Sequence, residues 1–222
     1  MLVRETLKRR ATRCAALPDV ALELREYGVS DDFARASGVL TDPDRLIRAI
    51  LSCAHALHRK RDVSRYCDGT YGVFYTAQNG EVALTERTHW AIELVFKMGV
   101  SHVVHGLHMI KCSLQGRCVD HFTDWKDHPD IVHPVDYTFC HGIAKQARNL
   151  KADYIEVPSA RKYDKKCFPV YGDDCIKIHD VKEPFPIYWN GDNERAYVLR
   201  NGRRQYVNIE KVYQICTAPH DR

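Results

Sequence analysis

Apolar positions along this chain change period several times, and the changes mark its elements. Residues 65–86, RYCDGTYGVFYTAQNGEVALTE, hold the clearest change. Val73-Phe74-Tyr75 is β-branched and aromatic, with Gly69 and Gly72 before it and Asn79-Gly80 after it. That pattern predicts a short strand between two turns. From Glu81 the period turns helical: Ala83, Trp90, Leu94 and Met98 recur at spacings of seven, four and four, predicting one buried face. Residues 100–114 are apolar with interspersed His and Ser and read as a strand. Residues 115–135 carry Gly116, Asp120, Asp124, Asp127, Pro129, Asp130 and Pro134. They predict a long irregular loop of the kind that serves as a lid or binding loop.

Further on, residues 137–150 read as a helix with Phe139, Ile143, Ala144 and Ala147 inside and Lys145 and Arg148 outside. A strand follows over 152–157 and ends in the turn Pro158-Ser159-Ala160-Arg161. Residues 167–171 and 175–179 predict two more strands. The tail alternates, with turns at Asn190-Gly191-Asp192 and Asn201-Gly202, and predicts hairpins. The first 60 residues read as mainly helical. Residues 2–24 are rich in Ala, Leu, Arg and Glu, and Thr41-Asp42-Pro43-Asp44 is a helix start. Leu46, Ile47, Ile50, Leu51, Ala54 and Leu57 then form an apolar stripe. The expected class is therefore α+β, with a helical extension over 1–60 and a mixed domain over 61–222.

Composition narrows the class without naming a chemistry. Of 222 residues, 45% are apolar and 28% charged, ordinary for a globular chain. The net charge of +4, from 33 basic and 29 acidic residues, is small and dispersed. It suits attraction of a small polyanion and lacks the dense basic footprint of a nucleic-acid binder. Lys8-Arg9-Arg10, Arg59-Lys60-Arg61 and the Lys162–Lys166 run are short and read as solvated faces. No apolar run suggests a membrane span, and no hydrophobic core follows the basic N-terminus to make a secretory signal. Nine scattered cysteines, an odd number, predict reduced thiols in a cytoplasmic chain. No metal is expected: there is no C-x-x-C pair, and neither the Cys112, Cys118, His121 group nor the His102, His105, His108 series offers four ligands at zinc spacing.

Two residues draw attention on chemistry alone. Glu86 sits at the edge of the apolar stripe of its helix, where a carboxylate is costly unless paired or used. It could equally be an exposed helix glutamate favoured by the macrodipole. Ser159 follows a strand end and is placed to present its hydroxyl to a cleft, or merely to cap a turn.

These pieces, taken together, resemble the RES domain family, which is named for an Arg, a Glu and a Ser. The matching segments are Arg65, Val73-Phe74-Tyr75-Thr76-Ala77, Ala83-Leu84-Thr85-Glu86 and Pro158-Ser159-Ala160-Arg161, in order over about residues 62–180. Two features depart from the family pattern: Ser64 stands where a Gly usually precedes the Arg, and Lys162-Tyr163-Asp164-Lys165-Lys166 replaces a Gly-rich segment. The resemblance implies an ADP-ribosyltransferase-like split mixed sheet around a central cleft for NAD. It implies an NAD-degrading toxin that cleaves the nicotinamide–ribose bond by phosphorolysis or hydrolysis, countered by a cognate antitoxin or immunity protein. An ADP-ribosyltransferase acting on a protein or nucleotide, or a catalytically silent binding module, are the alternatives. NAD is then a consumed substrate, and no cofactor is expected; the chain has no Gly-x-Gly-x-x-Gly. In that reading Glu86 stabilises the oxocarbenium-like ribose and Arg65 grips phosphate. Tyr75 offers its ring face to nicotinamide. Ser159 bonds the phosphate, the ribose or Glu86, and Tyr71 and Arg161 are further candidates for the same cleft. The site of action would be cytoplasm, the chain's own or that of a cell into which it is delivered.

Overall fold

The computed structural model describes residues 2–15, 63–98, 102–172, 174–182, 185–190, 195–200 and 203–207. Among them the strands are β1 (Leu2–Ala15), β2 (Phe74–Ala77), β3 (His102–Asp120), β4 (Tyr154–Pro158), β5 (Lys166–Val170), β6 (Ile176–Val181), β7 (Phe185–Asn190), β8 (Arg195–Arg200) and β9 (Arg203–Val207). The helices are α1 (Gly80–Met98) and α2 (Thr138–Asn149), with short 3-10 helices at Asp124–Lys126 and Pro129–Val132. The α+β class holds, and the sheet is mixed: β3–β4 is parallel and the other described pairings are antiparallel.

β3 is the hub. One edge of it pairs with β1, from Leu2↔Asp120 to Ala15↔His108. Its other edge takes β7, β6 and β4 in turn. Because β1 also meets β2 at Thr12↔Ala77, and β2, β5 and β4 follow in order, five strands close a circuit. Closure satisfies strand edges that would otherwise be left open. The side chains this circuit gathers form one buried cluster, including Ala11, Phe74, Ile110, Leu114, Tyr154, Phe168 and Val170.

Two expectations from sequence are corrected here. Residues 2–15 are a strand, not part of a helix: pairing along β3 outweighs the helix propensity of Ala, Leu, Arg and Glu. The remainder of the expected helical extension, 16–60, lies outside the described residues. The loop expected over 115–135 is also only half a loop. β3 runs on through Gly116 to Asp120 because both of its edges are paired there, and the acidic remainder folds into the two 3-10 helices.

α1 begins where a strand-ending turn was expected. Asn79 caps it, its side-chain oxygen accepting the Val82 N–H at 3.0 Å and its carbonyl the Ala83 N–H at 3.1 Å. Val82, Ala83 and Leu84 bury against Leu107, Met109, Ile187 and Val198. Trp90 does not join the buried face; it is 49% exposed, with the Arg87 guanidinium 4.2 Å from its ring centroid. Among the described side chains beyond Leu84, Thr88, His89 and Ile92 are buried; those of Leu94 and Met98 lie outside the described residues.

α2 packs Cys140, Ile143, Ala144 and Ala147 on Val119, Ile155 and Val157, with Cys140 in the fully buried place expected of Phe139. It ends in a Schellman motif: Lys151 N–H bonds the Arg148 carbonyl at 2.9 Å and Ala152 N–H the Ala147 carbonyl at 2.9 Å. Lys151 carries φ 54 to make that turn. Lys151→Gly is therefore expected to raise stability by about 1 kcal/mol, since a left-handed conformation strains a residue bearing a Cβ. Denaturant melts of the two chains measure it.

Candidate active site

Ser159 lies one residue past β4, and the backbone aims its hydroxyl. The Oγ accepts the N–H groups of Arg161 at 3.2 Å and Lys162 at 3.0 Å. With both acceptor directions occupied, its proton is left to point outward. It points at Glu86: Ser159 Oγ donates to Glu86 Oε1 at 2.5 Å, across 73 residues of sequence. Ser159 is fully buried. Glu86 stands in the first half of α1 and is partly exposed. An ion pair between Glu81, in the first turn of α1, and Lys162 ties the helix to the turn that carries Ser159.

The second group is built around Arg65. Ser64 and Cys67 bond each other's backbones in both directions, at 2.8 and 3.0 Å, so Arg65 and Tyr66 form the tip of a tight turn. Tyr75, on β2, holds that tip from below. Its hydroxyl accepts the Tyr66 N–H at 2.9 Å and lies 2.9 Å from Ser64 Oγ. The serine that replaces the usual glycine thus takes part in fixing the turn. From α2, His141 Nε2 donates to the Ser64 carbonyl at 2.9 Å. Tyr71 donates its hydroxyl to the Tyr66 carbonyl at 3.2 Å, and Arg148 lies 3.8 Å from its ring centroid. Burial pushes the Tyr71 phenol up to about 12 and Tyr75's higher still, so both act as neutral hydrogen-bonding groups.

Arg65 itself reaches into the loop before α2. Its Nη1 donates to the His133 carbonyl at 2.6 Å and to Ile131's at 3.5 Å, and its guanidinium lies 4.6 Å from the Tyr137 ring centroid. Nη2 is buried and makes no hydrogen bond within the described residues.

Two residues that the sequence reading passed over bring these groups together. Cys167, on β5, has its thiol pushed well up by burial and by the negative charge of Glu86. A hydrogen bond with Ser159 and the charges of Arg65 and Arg161 pull the other way. His89 follows Glu86 by three residues on α1 and is 4% exposed. Burial, then the charges of Arg161 and Arg65, hold its imidazole down at about 3, so it is neutral at physiological pH. Glu86, Ser159, Arg161 and Arg65 therefore share one neighbourhood, with His89 and Cys167 among them. The i,i+3 spacing of His89 from Glu86 was a usable signal; the Cys167 position depended on strand pairing.

Tyr75 enters this site as a clamp on the Arg65 turn. Tyr75→Phe strands the Tyr66 N–H and frees Ser64, and we expect a loss of about 1–2 kcal/mol in a denaturant melt. No group of three or more His, Cys, Asp or Glu among the described residues could hold a metal ion. No described helix is long and apolar enough to cross a membrane. A cavity of about 320 Å³ opens between Asp130, His133, Asp136, Thr138 and Phe139; none of the expected site residues lines it.

The fold and this site define an α+β protein with a glutamate, a serine and an arginine brought together from distant parts of the chain. It belongs to the RES domain family, whose model matches residues 43–190. No curated protein matches the chain in sequence. Among solved structures it is similar to a chain in the crystal structure of the M. tuberculosis MbcT–MbcA toxin–antitoxin complex. The match has 12% identity, covers 81% of this chain and 86% of that one, and has a TM-score of 0.47.

Proposed function

We propose that this chain breaks the bond between nicotinamide and ribose in NAD, passing ADP-ribose to phosphate or water. In this reading it is a cytoplasm-acting toxin that depletes NAD, held in check by a cognate antitoxin or immunity protein. The observation that carries the reading is the Ser159–Glu86 hydrogen bond in a chain of the RES family. The sheet is then the split, ADP-ribosyltransferase-like sheet of that family, with the cleft beside α1 and the end of β4.

The chemistry follows from the bond being broken. Nicotinamide leaves as a neutral ring from a cationic pyridinium, so no general acid is required. Positive charge instead develops on the ribose as the bond opens, and a carboxylate fixed beside C1 stabilises it. Glu86 is that carboxylate. Ser159, already donating to one of its oxygens, fixes its rotamer without neutralising it. Arg65 offers Nη2 to a phosphate oxygen while Nη1 keeps its hold on the loop carbonyls. Because the Tyr75 hydroxyl is spent on the Arg65 turn, only its ring remains to meet nicotinamide.

Expression in a bacterial host tests the reading in cells. The wild-type chain is expected to lower total NAD and stop growth, and Glu86→Gln at equal abundance to do neither. Growth arrest with NAD unchanged would remove NAD as the target.

A further inference from the structure

Two buried nitrogen atoms of this site lack partners within the described residues: Arg65 Nη2 and His89 Nδ1. Buried polar atoms are rarely left without a partner, and the charge of Arg65 reaches the His89 ring. The groups around His89 say what kind of atom would partner it. His89 projects from α1 one turn beyond Glu86, and the positive charges of Arg161, after β4, and Arg65, in the 64–67 turn, both act on it. The acid of the neighbourhood, Glu86, is engaged by Ser159. A buried imidazole under the charges of two guanidinium groups is matched by an anionic oxygen, which accepts hydrogen bonds and offsets those charges.

We propose that His89 completes an anion-reading cluster with Arg65 and Arg161, that it hydrogen-bonds a phosphate of the dinucleotide, and that it takes up a proton as the phosphate arrives. The inference rests on the dinucleotide reading of the site. In the free protein burial, and after it the charges of Arg161 and Arg65, keep the ring neutral, which removes a third like charge from the cluster. A bound pyrophosphate cancels the arginine charges and favours the imidazolium, so substrate and proton bind together. His89 then strengthens phosphate binding without touching the ribose, as a specificity-determining rather than a catalytic residue.

ADP-ribose, which carries the pyrophosphate and cannot lose nicotinamide, is the probe. Its phosphates do not titrate between about pH 8 and about pH 5.5, so a pH-dependent affinity reports the protein. Wild-type affinity is expected to rise as pH falls through that range. Calorimetry in two buffers of different ionisation enthalpy should show a proton taken up on binding. His89→Gln should bind about tenfold more weakly at the acid end and lose the pH dependence. Should that variant not fold, the two-buffer experiment on the wild type still decides the matter. Binding with no proton uptake, or with the same pH dependence in both chains, overturns the role of His89 and leaves NAD cleavage standing. Absence of both ADP-ribose binding and NAD cleavage overturns this inference together with the reading it rests on.

Discussion

Glu86→Gln is expected to slow nicotinamide release from NAD by about 10²–10³-fold while leaving the melting temperature near the wild-type value. Glutamine keeps the size of the side chain and keeps a carbonyl oxygen to accept the Ser159 proton. The 2.5 Å contact therefore survives in weaker form, and the packing of α1 on β3, β7 and β8 is untouched. What disappears is the negative charge, which matters only as the ribose becomes cationic. The loss should fall on kcat, with KM nearly unchanged, because the interaction is made in the transition state and not with bound substrate. Ser159→Ala removes the orienting hydroxyl but not the charge, so its effect should be smaller, roughly tenfold. A Glu86→Gln chain that turned over at the wild-type rate would remove the carboxylate mechanism.

The largest expected effect on stability comes from Glu156. Its side chain is fully buried, and it holds Arg9 of β1 and Lys166 of β5 at 2.5 Å each. It thus ties three strands of the closed circuit. Burial alone would push its carboxyl up, but the hydrogen bonds and charges of Lys166 and Arg9 outweigh burial and hold it below the usual glutamate range. Removing one member of a buried ion cluster costs about 3–5 kcal/mol; because Arg9 and Lys166 are partly solvated, Glu156→Gln should fall near the low end, about 3 kcal/mol. The sign of the pH dependence follows from the depressed value. The contribution of Glu156 is complete above the pKa of an unfolded glutamate, and it is lost as pH falls through the lower folded value. Wild-type stability should therefore drop in acid more steeply than that of Glu156→Gln. Urea melts at a series of acidic pH values measure the difference, and parallel curves would contradict the assignment. Glu81–Lys162 is the contrast: Glu81 is 69% exposed, so its loss should be felt mainly in how the Ser159 turn is held.

More of the candidate site than of the frame was legible in the sequence. Glu86 and Ser159 were legible because chemistry restricts what stands at a stripe edge and after a strand end, and the structure brings the two into contact. Arg65 and Tyr75 were legible as candidates, but the link between them was not: the Tyr75 hydroxyl's hold on Ser64 and Tyr66, either side of Arg65, depends on where β2 meets the turn. β1 misled because its Ala, Leu, Arg and Glu content is helical on propensity, while its partner β3 lies about a hundred residues on and leaves no local trace. The same non-locality hid the Arg9–Glu156–Lys166 cluster, whose members are unremarkable in their own segments. Trp90 misled in the opposite way: a large apolar residue at the right spacing was assigned to the core, but it stands exposed beside Arg87. Gly116 read as a turn and is instead a point of close approach. A Cβ there would overlap the Asp153 carboxylate, whose Oδ2 accepts the Arg117 N–H at 2.7 Å and fixes the start of β4 on β3.

Incubating the purified chain with NAD, with and without inorganic phosphate, and separating the products by chromatography decides whether the Glu86–Ser159 site cleaves NAD. Free nicotinamide is expected, formed with a phosphorylated ADP-ribose where phosphate is the acceptor or with free ADP-ribose where water is. NAD left intact under both conditions by a folded chain would remove NAD cleavage as the activity of this site.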